Sequence, residues 1–296
     1  MKALCFGSLN IDYVYNVPHF VSGGETLAST SLNIYSGGKG LNQSIALSKA
    51  GLEVYHAGAI GNDGMFLLDE LKNSNVNIQH VRILDDIKTG HAIIQKNDKG
   101  NNCILLYGGA NQRITKSQID ETLAFFSKGD VLIIQNEINE LSYLVEQAKK
   151  HELIVTLNPS PMDENLIQLL PNIDYLILNE IEAAQFLDNQ NDLDPELMIK
   201  ELNKKIPSAK IILTIGEKGS LYSDTKVFLK QEAEKVHAVD TTAAGDTFTG
   251  FFLSGIFSGQ SPEWSMKFAT KASAIAVTRH GAAPSIPERE EVLKQL

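Results

Sequence analysis

Three small residues, Ala243, Ala244 and Gly245, precede an apolar segment, Phe248 to Phe257, whose composition and spacing predict a helix. Small side chains leave the backbone uncovered, and the first N–H groups of a helix have no partner inside the helix. Those donors and the positive end of the helix dipole would form a pocket for a phosphoryl group. Asp246, at the mouth of that pocket, could orient and deprotonate an attacking hydroxyl. It could instead only cap the helix, and the pattern leaves both interpretations open.

A second polar stretch, residues 36–43, reads Ser-Gly-Gly-Lys-Gly-Leu-Asn-Gln. It is not a Walker phosphate-binding loop, because Lys39 is followed by Gly40 and not by Ser or Thr. Adjacent glycines that lead into a helix let the backbone and a ligand approach each other closely. Lys39 and Asn42 could then point at a polyhydroxylated ligand. The alternative is a tight turn with a solvated lysine.

Two more polar stretches follow apolar runs that we interpret as strands. In open α/β sheets, ligands bind beyond the carboxyl ends of the strands. Asn179 and Glu182 would share one face of a starting helical turn and could hold hydrated Mg²⁺ near a nucleoside triphosphate. A helix cap followed by surface acids is the alternative. Residues 214–219, Thr-Ile-Gly-Glu-Lys-Gly, could form a tight turn along a nucleotide, although other strand-to-hairpin turns have the same pattern.

The elements that must position these residues alternate along the chain. Short apolar runs recur, each followed by a segment with apolar residues three or four apart. The predicted strands are Ala3–Phe6, Val54–Ala59, Val131–Ile134, Leu153–Leu157, Tyr175–Leu178 and Ile211–Ile215, and the predicted helices include Asn42–Ala50, Leu141–Lys150 and Pro195–Lys205. This order predicts a single α/β domain over residues 1–296, with a mostly parallel sheet between two layers of helices.

Two regions depart from this order. Residues 11–17 alternate apolar and polar side chains, and the runs His91–Gln95 and Cys103–Tyr107 are joined by a turn-rich segment, residues 97–101. Alternation indicates half-exposed antiparallel strands. We expect a small sheet beside the main one, built roughly from residues 11–36 and 89–107. It would be a lid over a site, a dimer surface or only an edge hairpin.

Composition excludes several classes of function. The formal net charge of −10 argues against a protein that binds a nucleic-acid backbone. We find neither a targeting signal nor a run of about 18 uncharged apolar residues, so we expect a cytoplasmic protein without a membrane partner. Cys5 and Cys103 lie in apolar stretches and are expected to be buried free thiols. The sequence has no zinc spacing, nucleophile elbow or dinucleotide fingerprint.

Taken in order, the polar motifs resemble the ribokinase-like carbohydrate kinase family over essentially the whole chain. The matching stretches are residues 7–12, 24–26, 37–43, 109–111, 157–159, 179–182, 238–250 and 274–287. The resemblance implies a three-layer α/β/α fold with a small β-sheet lid. It also implies ATP-dependent transfer of a phosphoryl group to a sugar, with D-ribose and its terminal hydroxymethyl as the expected acceptor. Mg²⁺, activation by K⁺ and a homodimer formed through the lid are further implications.

The resemblance assigns site residues by position. Asp246 matches the catalytic base, and Ala243, Ala244 and Gly245 match the anion hole. The expected sugar ligands are Asn10, Asp12, Gly38, Lys39, Asn42, Glu137 and Asp246. The expected nucleotide contacts are Asn179, Thr214, Ile215, Gly216, Glu217, Lys218, Gly219, Gly245 and Thr270. Asn179 and Glu182 match residues that organise Mg²⁺ through water, and a K⁺ site is expected at Asp240, Thr242, Ala276, Arg279, Gly281 and Ser285.

Alternatives to a ribose kinase remain at this point. The same family fold could phosphorylate deoxyribose, a ketohexose, a keto-deoxy acid or a nucleoside. It could also serve as a non-catalytic sensor of sugar or nucleotide. A nicotinamide oxidoreductase has only the α/β pattern in its favour, because the glycine fingerprint of that class is missing.

Overall fold

The computed structural model describes residues 1–99, 101–188 and 193–296. Its strands are β1 (Ala3–Phe6), β2 (Asn10–Val17), β3 (Ser31–Gly37), β4 (Val54–Gly61), β5 (Asn77–Leu84), β6 (Gly90–Asn97), β7 (Asn102–Tyr107), β8 (Val131–Gln135), β9 (Ile154–Asn158), β10 (Tyr175–Asn179), β11 (Lys210–Thr214), β12 (Ser220–Ser223) and β13 (Phe228–Gln231). Its α-helices are α1 (Lys39–Lys49), α2 (Met65–Asn73), α3 (Lys116–Leu123), α4 (Leu141–Lys150), α5 (Glu180–Phe186), α6 (Pro195–Lys205), α7 (Ala244–Phe257), α8 (Pro262–Val277) and α9 (Arg289–Leu293).

The described residues form a central nine-stranded sheet in the order β13-β12-β11-β10-β9-β8-β1-β4-β5. Strands β11 and β12 pair antiparallel, as do β12 and β13, and the other pairs of this sheet are parallel. The mostly parallel sheet predicted from the continuous apolar runs is therefore confirmed. The sequence interpretation missed β5, β12 and β13, which lie towards the two edges of the sheet. The half-exposed β5 and β13 lack a continuous apolar run.

Helices cover both faces of the sheet, so each face has its own apolar core. One core contains side chains of α3, α4, α5 and α6, and the other contains side chains of α1, α2, α7, α8 and α9. On the second face, α1 and α7 approach closely at Gly250. A Cβ atom on Gly250 would lie 2.8 Å from the carbonyl carbon of Ala46. The missing side chain therefore lets these two helices bring their N-terminal ends together.

A separate four-stranded sheet has the order β3-β2-β6-β7, and we call it the lid sheet. It follows the predicted residues closely, but its pairing corrects the antiparallel prediction. Strands β2 and β3 are antiparallel, as are β6 and β7, whereas β2 and β6 are parallel. Alternation reports only that a strand has one exposed face, and it carries no information on the direction of its neighbour. Gly100, within the predicted turn 97–101, lies outside the described residues.

Helix starts and cysteine burial also differ from the predictions. Helix α1 begins at Lys39 and not Asn42, and α7 begins at Ala244 and not Phe248, because their first turns are mostly small and polar residues that lack an apolar period. Both cysteines are free, but only Cys5 is buried. Cys103 is exposed because β7 is an edge strand of the lid sheet. Within the described ranges, no helix is both long and apolar enough to cross a membrane.

Candidate active site

The N-terminus of α7 faces an open pocket. Ala243 precedes the helix with φ 59°, a left-handed conformation that non-glycine residues rarely adopt. The Ala244 N–H donates to the Thr241 carbonyl at 3.2 Å. In the described part of the chain, the N–H groups of Ala243 and Gly245 have no acceptor. A Cβ on Gly245 would have no non-neighbouring atom within 4 Å, so these donors face open space.

Asp246 lies in the first turn of α7, but it does not cap the helix. The residue is 8% exposed, and both carboxylate oxygens accept side-chain amides from α1. Asn42 Nδ2 donates to Oδ2 at 3.0 Å, and Gln43 Nε2 donates to Oδ1 at 2.9 Å. The interpretation of Asp246 as only a cap is therefore wrong. A carboxylate held in this way beside free N–H donors can accept a proton from a hydroxyl.

The residues expected to bind a sugar gather between α1 and the start of β2. Glu137 accepts hydrogen bonds from the Ser8 hydroxyl and, at 3.0 Å, from the Lys39 N–H. The Asp12 carboxylate lies directly against Gly37, where a Cβ would collide with it. Gly38, with φ 93°, lies so close to the backbone of Ser8 that a Cβ would be 2.9 Å from the Ser8 carbonyl oxygen. Both glycines are thus required by space, and Gly38 also by conformation.

Asn10 and Asn42 complete this group. Asn111 Nδ2 donates to Asn10 Oδ1 at 2.7 Å, which fixes the orientation of the Asn10 amide. Asn42 Oδ1 is a buried acceptor without a partner among the residues that the structure describes.

The charged side chains among the expected sugar ligands shift one another's pKa. Burial, reinforced by the nearby Glu137 carboxylate, raises the pKa of Asp12 to about 7. Burial also tends to lower the pKa of Lys39, but the carboxylates of Asp246, Glu137 and Glu182 outweigh it and raise that pKa. Lys39 therefore stays an ammonium in this acidic surrounding.

Two adjoining cavities meet at the N-terminus of α7. The smaller, about 250 Å³, is lined among others by Lys39, Glu182, Asp246 and residues 243–245. The larger is about 1030 Å³. The expected nucleotide contacts that line it are Asn179, Thr214, Ile215, Gly216, Glu217, Lys218, Gly219, Gly245 and Thr270. The whole predicted nucleotide set therefore lies along one cleft that reaches the N-terminus of α7.

Asn179 and Glu182 form a reciprocal cap at the start of α5. Asn179 Oδ1 accepts the Glu182 N–H at 2.9 Å, and Glu182 Oε2 accepts the Asn179 N–H at 3.0 Å. This is the helix cap that the sequence left as an alternative, but Glu182 is not a surface acid, since it is 7% exposed. Both residues also line the smaller cavity. The capping contacts involve Oε2 and leave Glu182 Oε1 available to a hydrated ion.

The residues expected to bind K⁺ also come together, beside α7. Asp240 Oδ1 accepts the N–H of Thr242 at 2.9 Å, and Oδ2 accepts the N–H of Gly281 at 3.1 Å. The Ala276 carbonyl accepts the Arg279 N–H at 3.0 Å. The buried Ser285 hydroxyl donates to the Ala282 carbonyl at 2.7 Å. The donor set consists of hard oxygen atoms, which suit an alkali cation, and K⁺ binding stays a prediction.

The structure adds residues that the sequence interpretation did not assign to the site. The buried Gln43 and Gln135 and the half-buried Asn158 form an amide network that contacts Asp246, while Ser8 and Asn111 orient Glu137 and Asn10. Gln43 directly follows Asn42 in a stretch already singled out, so it could have been proposed. Gln135 lies in an apolar strand and gives no comparable signal.

Comparison with known proteins decides the family. The model of the pfkB family carbohydrate kinases matches residues 1–289. The chain belongs to this family. Ribokinase of Haemophilus influenzae is 33% identical over 298 residues, which cover 98% of this chain and 96% of the relative. The family resemblance expected from the motifs is thereby confirmed.

Solved structures of carbohydrate kinases agree with the fold. The ribokinase of Cryptococcus neoformans in complex with ADP has a TM-score of 0.89 at 33% identity, covering 100% of this chain and 99% of its own. Arabidopsis thaliana ribokinase complexed with ribose and ATP has a TM-score of 0.87 at 28% identity, covering 99% and 97%. The three-layer architecture with a small additional sheet is therefore confirmed.

Proposed function

We propose that this chain transfers the γ-phosphoryl group of ATP to the terminal hydroxymethyl group of D-ribose. One observation carries the proposal. The Asp246 carboxylate and the free N–H donors of α7 stand where the group of expected sugar ligands meets the cleft of expected nucleotide contacts. The ribose and the nucleotides named for the related structures support the choice of both substrates.

In this proposal each residue has a defined part in the reaction. Asp246 orients the sugar hydroxyl and takes its proton, while the hydroxyl oxygen forms the new bond to the γ-phosphorus. The bond from that phosphorus to the bridging oxygen breaks, and ADP leaves. The N–H groups of Ala243 and Gly245 and the Lys39 ammonium balance the charge that develops on the transferring group. Ala244 contributes less, because its N–H already has an acceptor.

Two cations belong to the proposal. Asn179 and Glu182 would hold hydrated Mg²⁺, and Mg²⁺ neutralises phosphate charge when it is bound. The oxygens of Asp240, Thr242, Ala276, Arg279, Gly281 and Ser285 would hold K⁺. Asp240 hydrogen-bonds both to residue 242, just before the anion pocket, and to Gly281. An ion there would stabilise the segment that leads into α7.

The group of expected sugar ligands favours a small acceptor that carries several hydroxyl groups. Asn10, Asp12, Asn42 and Glu137 are buried or half-buried and offer both donors and acceptors within one group. A small furanose has enough hydroxyls to satisfy them. A ketohexose, deoxyribose, a keto-deoxy acid or a nucleoside would leave some of these groups without partners or need more space.

We also propose that the chain is one kinase domain carrying an inserted lid, and that two copies pair through their lid sheets in the cytoplasm. Large apolar side chains are exposed together on that sheet, at Leu32, Ile34, Tyr35, Ile93, Ile104, Leu105, Leu106 and Tyr107. Such a concentration is typical of a surface that binds another protein. A closed lid would also exclude water, which otherwise competes as phosphoryl acceptor.

The test is a panel of acceptors assayed for ATP consumption and for the phosphorylated product, with and without K⁺. We expect D-ribose to have the highest kcat/KM and K⁺ to increase it. Asp246→Asn should still bind sugar and ATP while its turnover falls by orders of magnitude, on the order of 10²- to 10⁴-fold. No turnover with any acceptor would favour a sensor, and near-normal turnover of Asp246→Asn would end the assignment of the base.

A further inference from the structure

Two buried side-chain amides, Gln43 and Gln135, connect to the Asp246 carboxylate. Gln43 and Gln135 are both 0% exposed, so neither reaches a ligand. Gln43 contacts the Asp246 carboxylate directly, and Gln135 contacts Gln43. Unmade hydrogen bonds of buried polar groups cost stability, and of the polar side-chain atoms of these two glutamines only Gln135 Oε1 has no hydrogen-bond partner among the described residues.

The amide of Gln43 has one possible orientation. Its Nε2 donates to Asp246 Oδ1 at 2.9 Å and to Asn158 Oδ1 at 3.2 Å. Its Oε1 accepts the Gln135 Nε2 at 2.6 Å. A rotated amide would place its oxygen against the Asp246 carboxylate and its NH₂ group against that of Gln135. Three neighbours thus select the orientation that donates to Asp246.

Contacts with neighbouring residues also fix the orientation of Gln135. Its Nε2 also donates to the Cys5 sulfur at 3.6 Å, and Cys5 Sγ donates to the Gly40 carbonyl at 3.4 Å. Burial raises the pKa of Cys5 to about 11, so the thiol stays protonated and can donate. On the other side, the Gln135 amide oxygen fills the space where a Cβ of Gly7 would lie. Gln135 therefore presents its NH₂ group to Gln43.

From this geometry we propose that Gln43 is a positioning residue for Asp246 and that Gln135 sets the direction of the Gln43 amide. The proposal rests on the proposed function, in which Asp246 accepts the hydroxyl proton. Gln43 holds Oδ1 at 2.9 Å, so that the carboxylate keeps one rotamer. Gln135 acts on Asp246 only through Gln43.

The experiment compares Gln43→Met, Gln135→Met and the double variant with the wild type, using the best acceptor of the panel. Methionine keeps the length of the side chain and removes the amide. We expect Gln43→Met to lower kcat by about 10- to 100-fold, with KM for sugar and ATP changed by no more than about 3-fold. Gln135→Met should lower kcat less. The double variant should have the kcat of Gln43→Met, because Gln135 has no effect once Gln43 is lost.

Gln118→Met is the matched control. Gln118 is another buried glutamine, 4% exposed, whose Nε2 donates to the Gly58 carbonyl at 2.8 Å, and it has no contact with the site. Its loss should reduce thermal stability and leave kcat unchanged. If Gln43→Met does not fold, Gln43→Leu, which is smaller and likewise lacks the amide, should show the same fall in kcat.

Three results would overturn the proposal: a wild-type kcat for Gln43→Met, a loss of activity confined to KM, or losses for the two single variants that multiply in the double variant. Failure of the proposed function gives a different result. If Asp246 is not the base, Asp246→Asn retains turnover, and this result does not depend on the glutamine variants.

Discussion

Asp12 is the residue whose ionisation the fold changes most directly at the sugar site. Its pKa of about 7 stands well above the usual 3.8, because the carboxylate is buried beside Glu137. The folded protein therefore holds the Asp12 proton more tightly than the unfolded chain does. The stability that comes from this proton is present below about pH 4 and is lost as the pH rises through about 7.

We predict that Asp12→Asn has a higher free energy of unfolding than the wild type at pH 8. From the raised pKa of Asp12, the difference should be up to roughly a few kcal/mol. Asparagine is neutral at every pH, so it avoids the cost of burying an ionised carboxylate. The stability difference should be smaller at pH 5, because wild-type Asp12 is still protonated there. Thermal unfolding of both proteins at the two pH values measures this. KM for the sugar should rise in the variant. An equal difference in stability at both pH values would contradict the shifted ionisation.

At Gly245, a substitution should affect activity without lowering stability. A Cβ there meets no protein atom within 4 Å, but it would project into the space facing the free N–H groups. Alanine is also a better helix former than glycine, by about 1 kcal/mol in a helix interior. We predict that Gly245→Ala unfolds at the wild-type temperature or above while its kcat/KM for ATP falls. A stable variant with wild-type kinetics would show that the pocket does not hold the phosphoryl group.

At the scale of elements, three helix starts build the site. Helices α1 and α7 meet closely at Gly250, which places Asn42 and Gln43 against Asp246, and α5 begins at the edge of the same cavity. Each start follows a different local rule. Gly38 precedes α1, the left-handed Ala243 precedes α7, and a reciprocal cap starts α5.

The cap of α5 allows the structural and the metal-binding roles of Glu182 to be separated. Glutamine serves this kind of cap as well as glutamate does, but it lacks the charge that a hydrated cation needs. We predict that Glu182→Gln keeps the wild-type unfolding temperature and requires a several-fold higher Mg²⁺ concentration for half-maximal rate. Glu180→Gln, in the same helical turn but absent from the lining of both cavities, is the control. An unchanged Mg²⁺ requirement in Glu182→Gln would show that Glu182 caps α5 and does not contribute to binding Mg²⁺.

At the scale of the whole molecule, the lid sheet is the main apolar surface to be explained. Leu105 is 68% exposed on the edge strand β7. We predict that the wild type sediments as a dimer and that Leu105→Lys sediments as a monomer, because a charge would have to be buried in the contact. Ile167→Lys, at a 52% exposed position away from the lid sheet, should remain a dimer. A monomeric wild type would contradict the proposed pairing.

Much of this molecule could be predicted from the sequence because the information is local. Continuous apolar runs specify strands that are buried on both faces, and β1, β8 and β10 lie where they were expected. Glycines beside polar residues marked the starts of α1 and α7. The predicted sugar and nucleotide residues lie in two neighbouring groups, because the carboxyl ends of parallel strands lie at one edge of the sheet.

Only the tertiary structure decided the features that depend on distant pairs. Gln43 and Asp246 are 203 positions apart, and their contact excludes the capping role that the local pattern allowed for Asp246. The parallel pairing of β2 with β6 and the exposure of Cys103 follow from which strands become neighbours and which one ends at an edge. Residue types and spacing determine the elements and their polar ends. The packing of α1 against α7 determines which amide meets the carboxylate, because that contact depends on the space left at Gly250.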